Sequence, residues 1–470
     1  MRKSGRKTSI VSYCKNCFEK QQKIDYLEEQ VKSLRNKLKY REEKDKQPFF
    51  GSSTPSSKLP VKENTLEENR KKKGGAKVGH KGNGRKSIPE EQADRIIELP
   101  VEEENCAICG GQLVRKDTNW RSIIDTFLNK AQKLLYKCEV KECVKCRKTF
   151  SKNPPVLPRN KYGNNLISNS AIMHYFHGIP LKRLEKIWGE NLVAGNLMKT
   201  FHKLGKLWKP AIEKLKEEYR RSPVKHADET GWRTDGKSGY AWLFASDNVG
   251  IFTFRETRSS SVVREVLGTK KLPGVLVVDR YGGYNKSPCF LQYCYAHLLR
   301  NLEDIGKDFP DEKEVQNFVS CVAPLFAEAM HLRTQPISDK KYYSQANNLK
   351  RKIKKLAQSP AKHPANQNFQ DILKENEHRL YHWVGDRRVP AENNRAEREL
   401  RPTVIARKVS FGSQSREGAI TRSILMTVLH TAAKRLKNQT LEEWFLWTLE
   451  EFAKNSNVNP ISLLPSVGIP

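Results

Sequence analysis

Near the N-terminus, apolar and polar positions alternate with a helical period. Ile24, Leu27, Val31, Leu34 and Leu38 recur at spacings of three and four, and the positions between are mostly Lys, Glu, Gln and Arg. This pattern predicts a short coiled coil over 1–45, with Ile24, Val31 and Leu38 at one seam position and Leu27 and Leu34 at the other. The competing reading is an amphipathic helix packed on its own protein. The apolar pattern then lapses. Residues 48–65 are rich in Ser, Pro and Thr, a composition unsuited to a core. Periodicity returns at 166–178 and 181–188, two predicted helices separated by Gly178 and Pro180, and again in a third from about Gly195 to Trp208.

From Lys225 the period changes to that of strands: VKHAD, GYAWLFAS and GIFTFRE, then a helix over Ser261–Leu267, a strand over Gly274–Asp279, another over Phe290–Tyr295 and a helix beginning near His297. This order predicts an α/β core with one central mixed sheet, in which Asp228 ends the first strand and Asp279 the fourth. Residues 304–385 read as a helical insertion with a basic run at Arg351–Lys355, and Thr421–Leu436 and Glu442–Phe452 read as closing amphipathic helices. The expected organisation is a coiled coil (1–45), a flexible basic arm (46–95), a cysteine module (96–157), a helical region (158–222), a core in two parts (223–303 and 386–470) and the insertion between them.

Charge narrows the function. Against 53 Asp and Glu stand 86 Lys and Arg, a formal net charge of +33 over 470 residues, which points to a polyanionic partner, nucleic acid above all. The arm concentrates the excess: Arg70, Lys71, Lys72, Lys73, Lys77, Lys81, Arg85 and Lys86 occur with no acid and with interspersed glycines, suited to following a phosphate backbone or entering a minor groove. In the helical region the short-helix, turn, helix order resembles a helix-turn-helix, with Lys199, His202, Lys203 and Lys206 as candidate DNA contacts; the alternative is a support for the next domain. The N-terminus lacks the apolar stretch and cleavage site of a secretory signal, and no run of 18 apolar residues occurs. A cytoplasmic, nucleoid-associated protein with no membrane partner is therefore expected.

Three of the pairings among the ten cysteines are Cys-x-x-Cys, a spacing that favours thiolate metal ligands in a reducing compartment. Cys106 and Cys109 with Cys143 and Cys146 form a Cys₄ set for one structural Zn²⁺ per chain. Cys14 and Cys17 have no second pair nearby, and Cys138 falls outside the paired spacing.

The acids carry the candidate chemistry. Asp228 in HADETGW, Asp279 closing GVLVVD and Glu397 in NNRAERELRP are oxygen ligands for a hard cation within a polycation. In phosphodiester cleavage two Mg²⁺ (or Mn²⁺) ions held about 3.5–4 Å apart activate the attacking oxygen and stabilise the leaving one. Asp228 and Asp279 are the main candidate ligands and Glu397 completes the set. Glu399 and Glu392 are its neighbouring rivals, and Arg395, Arg398 and Arg401 suit phosphate neutralisation.

ADETGWRTDG, VVDRYGGY, CYAHLLRNLED and NNRAERELRPTVIARKVSFGS resemble the insertion-sequence 66 family of bacterial transposases, and the likeness extends over nearly the whole chain, N-terminal segments included. The resemblance implies an RNase H-like catalytic core with an Asp-Asp-Glu metal triad at Asp228, Asp279 and Glu397. It also implies terminal inverted repeats and target DNA as partners, and synapsis of two ends by a homodimer or higher oligomer, with or without small companion proteins of the same element. Cys294 and His297 resemble a Cys-x-x-His element of several transposase groups; support of the active site is expected of them, and two ligands alone do not make a zinc site. A metal-dependent nuclease on the same core and a catalytically inactive DNA-binding regulator are the alternatives.

Overall fold

A computed structural model describes residues 15–46, 91, 140–142, 149–151, 156–158, 160, 162–189 and 192–467. The basic arm from Arg70 to Lys86, Cys14 and the four module cysteines (Cys106, Cys109, Cys143 and Cys146) lie outside the described residues.

Helix α1 (Lys15–Lys46) carries the predicted apolar stripe outward: Ile24, Leu27, Val31, Leu34 and Leu38 are all at least 45% exposed. The helix meets its own chain by other side chains. Lys39 Nζ donates to the Asp308 carbonyl at 2.6 Å, Lys32 pairs with Glu312 at 3.4 Å, and Tyr40 packs on Phe309 and Val315. The apolar stripe itself stays exposed. Strands β1 (Val140–Glu142) and β2 (Thr149–Ser151) pair antiparallel on either side of the segment bearing Cys143 and Cys146.

Helices α2 (Asn164–Ala171), prolonged by a π-helical turn over Ile172–Phe176, and α3 (Leu181–Trp188) precede α4 (Ala194–Arg221). Helix α4 runs well past Trp208, where the sequence pattern placed its end. Pro210 removes one helical hydrogen bond, but Ala211, Leu215 and Tyr219 continue the buried stripe of Leu197, Phe201, Leu204 and Trp208. At about 1.5–3 kcal/mol for each large apolar side chain buried, that continuation outweighs the lost bond.

The central sheet comprises β3 (Val224–Thr234), β4 (Lys237–Ala245), β5 (Gly250–Arg255), β6 (Val275–Val278) and β7 (Phe290–Tyr293) in the order β5-β4-β3-β6-β7. The first three strands are antiparallel; β6 lies parallel to β3, and β7 parallel to β6. Asp235 and Gly236, at φ of 53° and 72°, close the β3–β4 hairpin, the left-handed pair that a two-residue turn demands. Because of that turn, β3 extends to Thr234, and Asp228 lies within the strand instead of ending it.

Both faces of the sheet are covered, which explains the almost uninterrupted apolar run of β4. Trp242 and Phe244 enter one core, with α5 (Ser260–Leu267), α6 (Tyr295–Asp308), α7 (Lys313–Leu332), α8 (Asp339–Gln358) and α9 (Pro364–Glu375). Ala241, Leu243 and Ala245 enter the other, with α2, α4, α11 (Asn394–Ser410), α12 (Arg416–Arg435) and α13 (Leu441–Lys454). The helices after β7 are stitched to the sheet by Gln292: its amide donates to the Leu380 carbonyl at 3.1 Å and its oxygen accepts from the His382 amide, at the start of α10 (His382–Gly385), at 2.9 Å. Among the described residues no helix is long and apolar enough to cross a membrane.

Candidate active site

Strand register creates the site. Val224, Lys225 and His226 of β3 stand opposite Val275, Leu276 and Val277 of β6. Two residues further on come Asp228, within β3, and Asp279, just past β6, so the same register sets the two carboxylates side by side where β6 ends and β3 continues paired with β4 only.

Helix α11 delivers the third acid. His226, Asp228 and Thr230 alternate onto one face of β3, and α11 packs there. His226 Nδ1–H donates to Asn393 Oδ1 at 2.9 Å, Asn393 Nδ2 donates to the Ala227 carbonyl at 2.8 Å, and Arg407 donates to Thr230 Oγ1 at 3.1 Å. Asn393 therefore anchors the start of α11 beside Asp228, and Glu397 sits in the first turn of that helix. Its rivals are engaged elsewhere: Glu399 pairs with Lys434 at 2.7 Å, and the charges that act on Glu392 are those of Arg333, Arg398 and His331. Only Glu397 of the three joins the field at Asp228.

That field is hostile to the charges of Asp228 and Asp279. Burial, then the charges of Glu229, Asp279 and Glu397, hold the Asp228 carboxyl well above the usual range, although its Oδ1 accepts from the Glu229 amide at 2.9 Å. Burial also raises Asp279, against the Tyr281 amide that donates to its Oδ1 at 3.0 Å and the nearby Arg258 and Arg280. Like charges crowded in a poorly solvated place are relieved by a cation.

The comparisons with known proteins agree with this architecture. Residues 159–421, more than half of the chain, match the family described as Transposase IS66 family. The chain belongs to the IS66 family of transposases. It is also similar to two proteins of Sinorhizobium fredii (strain NBRC 101917 / NGR234). One is the uncharacterized protein y4jD, 24% identical over 343 residues that make up 64% of this chain and 65% of that protein. The other is the uncharacterized protein y4qI, 24% identical over 336 residues, 64% and 61% respectively. The chain spans less than two-thirds of the length of either relative.

In this IS66 chain a fourth acid belongs to the site, and sequence reasoning missed it. Glu229 projects to the opposite face from Asp228, its side chain 1% exposed; it accepts from Arg258 Nε at 2.7 Å and from the Tyr284 hydroxyl. Burial and Asp279 push it up to about 7 in spite of Arg258. Arg258 in turn stacks 4.0 Å over the Tyr281 ring. The YGGY signature follows from this packing: a Cβ on Gly283 would come within 2.3 Å of the Tyr281 ring. The Asp-Glu pair in HADETGW was the available signal.

The structure also brings together Cys294, His297 and Glu397. One ligand atom from each lies within 4.8 Å of the others, the only such group of three among the described residues. Asp228, Asp279 and Glu397 do not form such a group. Arg300 also holds Glu397, at 3.2 Å from Oε1.

The candidate DNA contacts divide. Lys199, Lys203 and Lys206 form an exposed stripe on α4, whose opposite side is buried in the core. His202 is instead turned inward, its Nδ1 2.6 Å from Thr421 Oγ1, which takes it out of the predicted contact set. Arg398 and Arg401 are exposed on α11, whereas Arg395 is occupied by Asp247 at 2.6 Å and the Ser246 carbonyl.

The raised carboxyls predict a pH dependence. At pH values where the unfolded chain has released these protons the fold retains them, so their contribution to stability is complete below about pH 4 and is lost as pH rises through the folded values, about 7 for Glu229. The thermal midpoint of metal-free protein should fall across that window. Mg²⁺ or Ca²⁺ should raise the midpoint more at pH 8 than at pH 5.5; an equal rise at both, measured by scanning calorimetry, contradicts the coupling.

Proposed function

We propose that this chain is a DNA transposase that cuts at the terminal inverted repeats of its element and joins the freed 3′-hydroxyls to target DNA by two-metal phosphoryl transfer. The observation that carries this reading is the β3–β6 register, which sets Asp228 beside Asp279 while α11 brings Glu397 to the same place. The sheet adds support, since three antiparallel strands followed by two parallel ones, with the first strand central, are what an RNase H-like core requires.

Three carboxylates are a fitting donor set for Mg²⁺ or Mn²⁺. When bound, these ions supply Lewis acidity at the attacking and leaving oxygens. Asp228, Asp279 and Glu397 would hold them. Asn393 keeps α11 in register with β3, and Arg258 with Tyr284 fixes Glu229 behind the metal ligands. Held in this way the groups need little rearrangement as charge develops on the phosphoryl and leaving oxygens. The lysine stripe of α4 and the exposed Arg398 and Arg401 are suited to DNA phosphates, and the open seam of α1 to a second copy that would bring a second DNA end.

Glu397→Gln and Glu399→Gln separate site from scaffold. Removing a metal ligand that accounts for about 4 kcal/mol of transition-state stabilisation should lower strand transfer by roughly a thousandfold, while Glu399→Gln, which loses a pairing with Lys434, should stay within about tenfold of the parent. Full strand transfer by Glu397→Gln, measured with labelled transposon ends, would end the assignment.

A further inference from the structure

We propose that Cys294, His297 and Glu397 form a second, thiophilic metal site, suited to Zn²⁺, that competes with the acidic pair for Glu397. The binding claim stands on the geometry alone; its consequence for activity rests on the function proposed above.

The donors are arranged as such a site needs. Cys294 is fully buried and immediately precedes α6, and His297 lies in the first turn of the same helix, a Cys-x-x-His spacing that turns both side chains toward one point. The third donor arrives from α11, and one ligand atom from each residue falls within 4.8 Å of the others. One sulfur, one imidazole nitrogen and one carboxylate oxygen make three of the four ligands of a tetrahedral Zn²⁺, leaving one position for water or phosphate. This donor set favours a borderline-soft ion over Mg²⁺.

Two further observations point to a ligand. His297 Nδ1 is buried and has no hydrogen-bond partner; it stops 3.9 Å short of Glu397 Oε1. A buried ring nitrogen without a partner costs stability that an ion would return. The sulfur is held in place as well: the Asn393 amide donates to Cys294 Sγ at 3.1 Å, although burial, then the charge of Glu397, pushes the thiol up to about 12 against the amides around it, a cost that a bound ion has to offset. Such donors orient a metal-bound thiolate from outside the coordination shell. Arg300 opposes the ion, because it holds Glu397 at 3.2 Å and would have to release it.

Glu397 cannot serve both places at once. With Zn²⁺ on Cys294 and His297, the glutamate is drawn from Asp228 and Asp279, and the Mg²⁺-dependent reaction stops. Zn²⁺ availability would thus act as a brake on the enzyme.

The test uses the full chain, stripped with a chelator, saturated with Zn²⁺ and counted for bound metal by elemental mass spectrometry. Cys294→Ser should hold one ion fewer per chain than the parent. Arg300→Ala, which removes the competing guanidinium, should bind Zn²⁺ at least about tenfold more tightly. This second variant keeps the proposal testable if Cys294→Ser misfolds. Equal metal content in the parent and a folded Cys294→Ser, or unchanged affinity in Arg300→Ala, overturns the site. In strand transfer with Mg²⁺, micromolar Zn²⁺ should inhibit the parent, and Arg300→Ala should be inhibited at lower Zn²⁺; identical inhibition curves overturn the brake. If no strand transfer is found at all, the transposase reading fails while the metal count still decides the site.

Discussion

Asp228→Asn is expected to abolish DNA cleavage and joining while making the metal-free protein more heat-stable. Both effects have one cause. In the folded chain Asp228 is half-buried, and lost solvation and the charges of Glu229, Asp279 and Glu397 raise its carboxyl, so its ionised form works against folding unless a cation is present. Asparagine keeps the shape and can still accept from the Glu229 amide, but it carries no charge and is a poor ligand for Mg²⁺. Loss of one metal ligand should lower joining by roughly a thousandfold or more. At pH 8 without divalent ions the variant should melt above the parent, and the order should reverse or close up when Mg²⁺ is added, because only the parent gains from binding. A variant that melts below the parent without metal would show that Asp228 is a structural carboxylate.

The second large effect is expected at Arg258. Its guanidinium compensates Glu229, whose side chain is 1% exposed, and it stacks over Tyr281 at 4.0 Å. Arg258→Ala removes both contacts and strands an acid that has no water to turn to; breaking a buried pair in this way costs about 3 kcal/mol or more. Glu229 can limit that cost by taking up a proton, so the loss should be greatest at pH 8 and shrink toward pH 5. Adding Glu229→Gln should recover most of the stability, since a neutral amide can still accept from Tyr284. Denaturant titrations of the two single variants and the double variant measure the coupling directly. A double variant as unstable as Arg258→Ala alone would mean that the arginine acts through packing on Tyr281 instead.

Much of this was legible in the chain because period and burial leave a strong mark. The run GYAWLFAS reads as a strand, and β4 is one, covered on both faces; GVLVVD ends where β6 meets Asp279. Boundaries were lost where local chemistry and packing disagreed. Thr234–Lys237 contains an Asp-Gly turn that prolongs β3, and Asp228 consequently lies inside a strand. The third helix read as ending near Trp208, but the buried stripe of α4 carries on through Pro210.

What the sequence could not reveal is proximity between distant segments. Asn393 donates to Cys294 Sγ across 99 residues of chain, and to the Ala227 carbonyl across 166. No spacing rule connects those positions, because the helices between them fix the separation only after folding. The Cys-x-x-His pair accordingly read as two ligands, when the third stands on α11. Glu229 was hidden differently: beside Asp228 it looked like one more acid, and only the alternation of β3 gives the two neighbours separate surroundings.

The most direct test of the central claim is joining of labelled DNA carrying the element's own ends, in Mg²⁺, by the parent and by Asp279→Asn. The account predicts strand-transfer products from the parent, dependent on the divalent ion and absent from Asp279→Asn, with end binding retained by both. Joining by Asp279→Asn at the parental rate would contradict it, as would a parent that binds the ends tightly yet neither cuts nor joins them when both ends and any companion proteins are supplied.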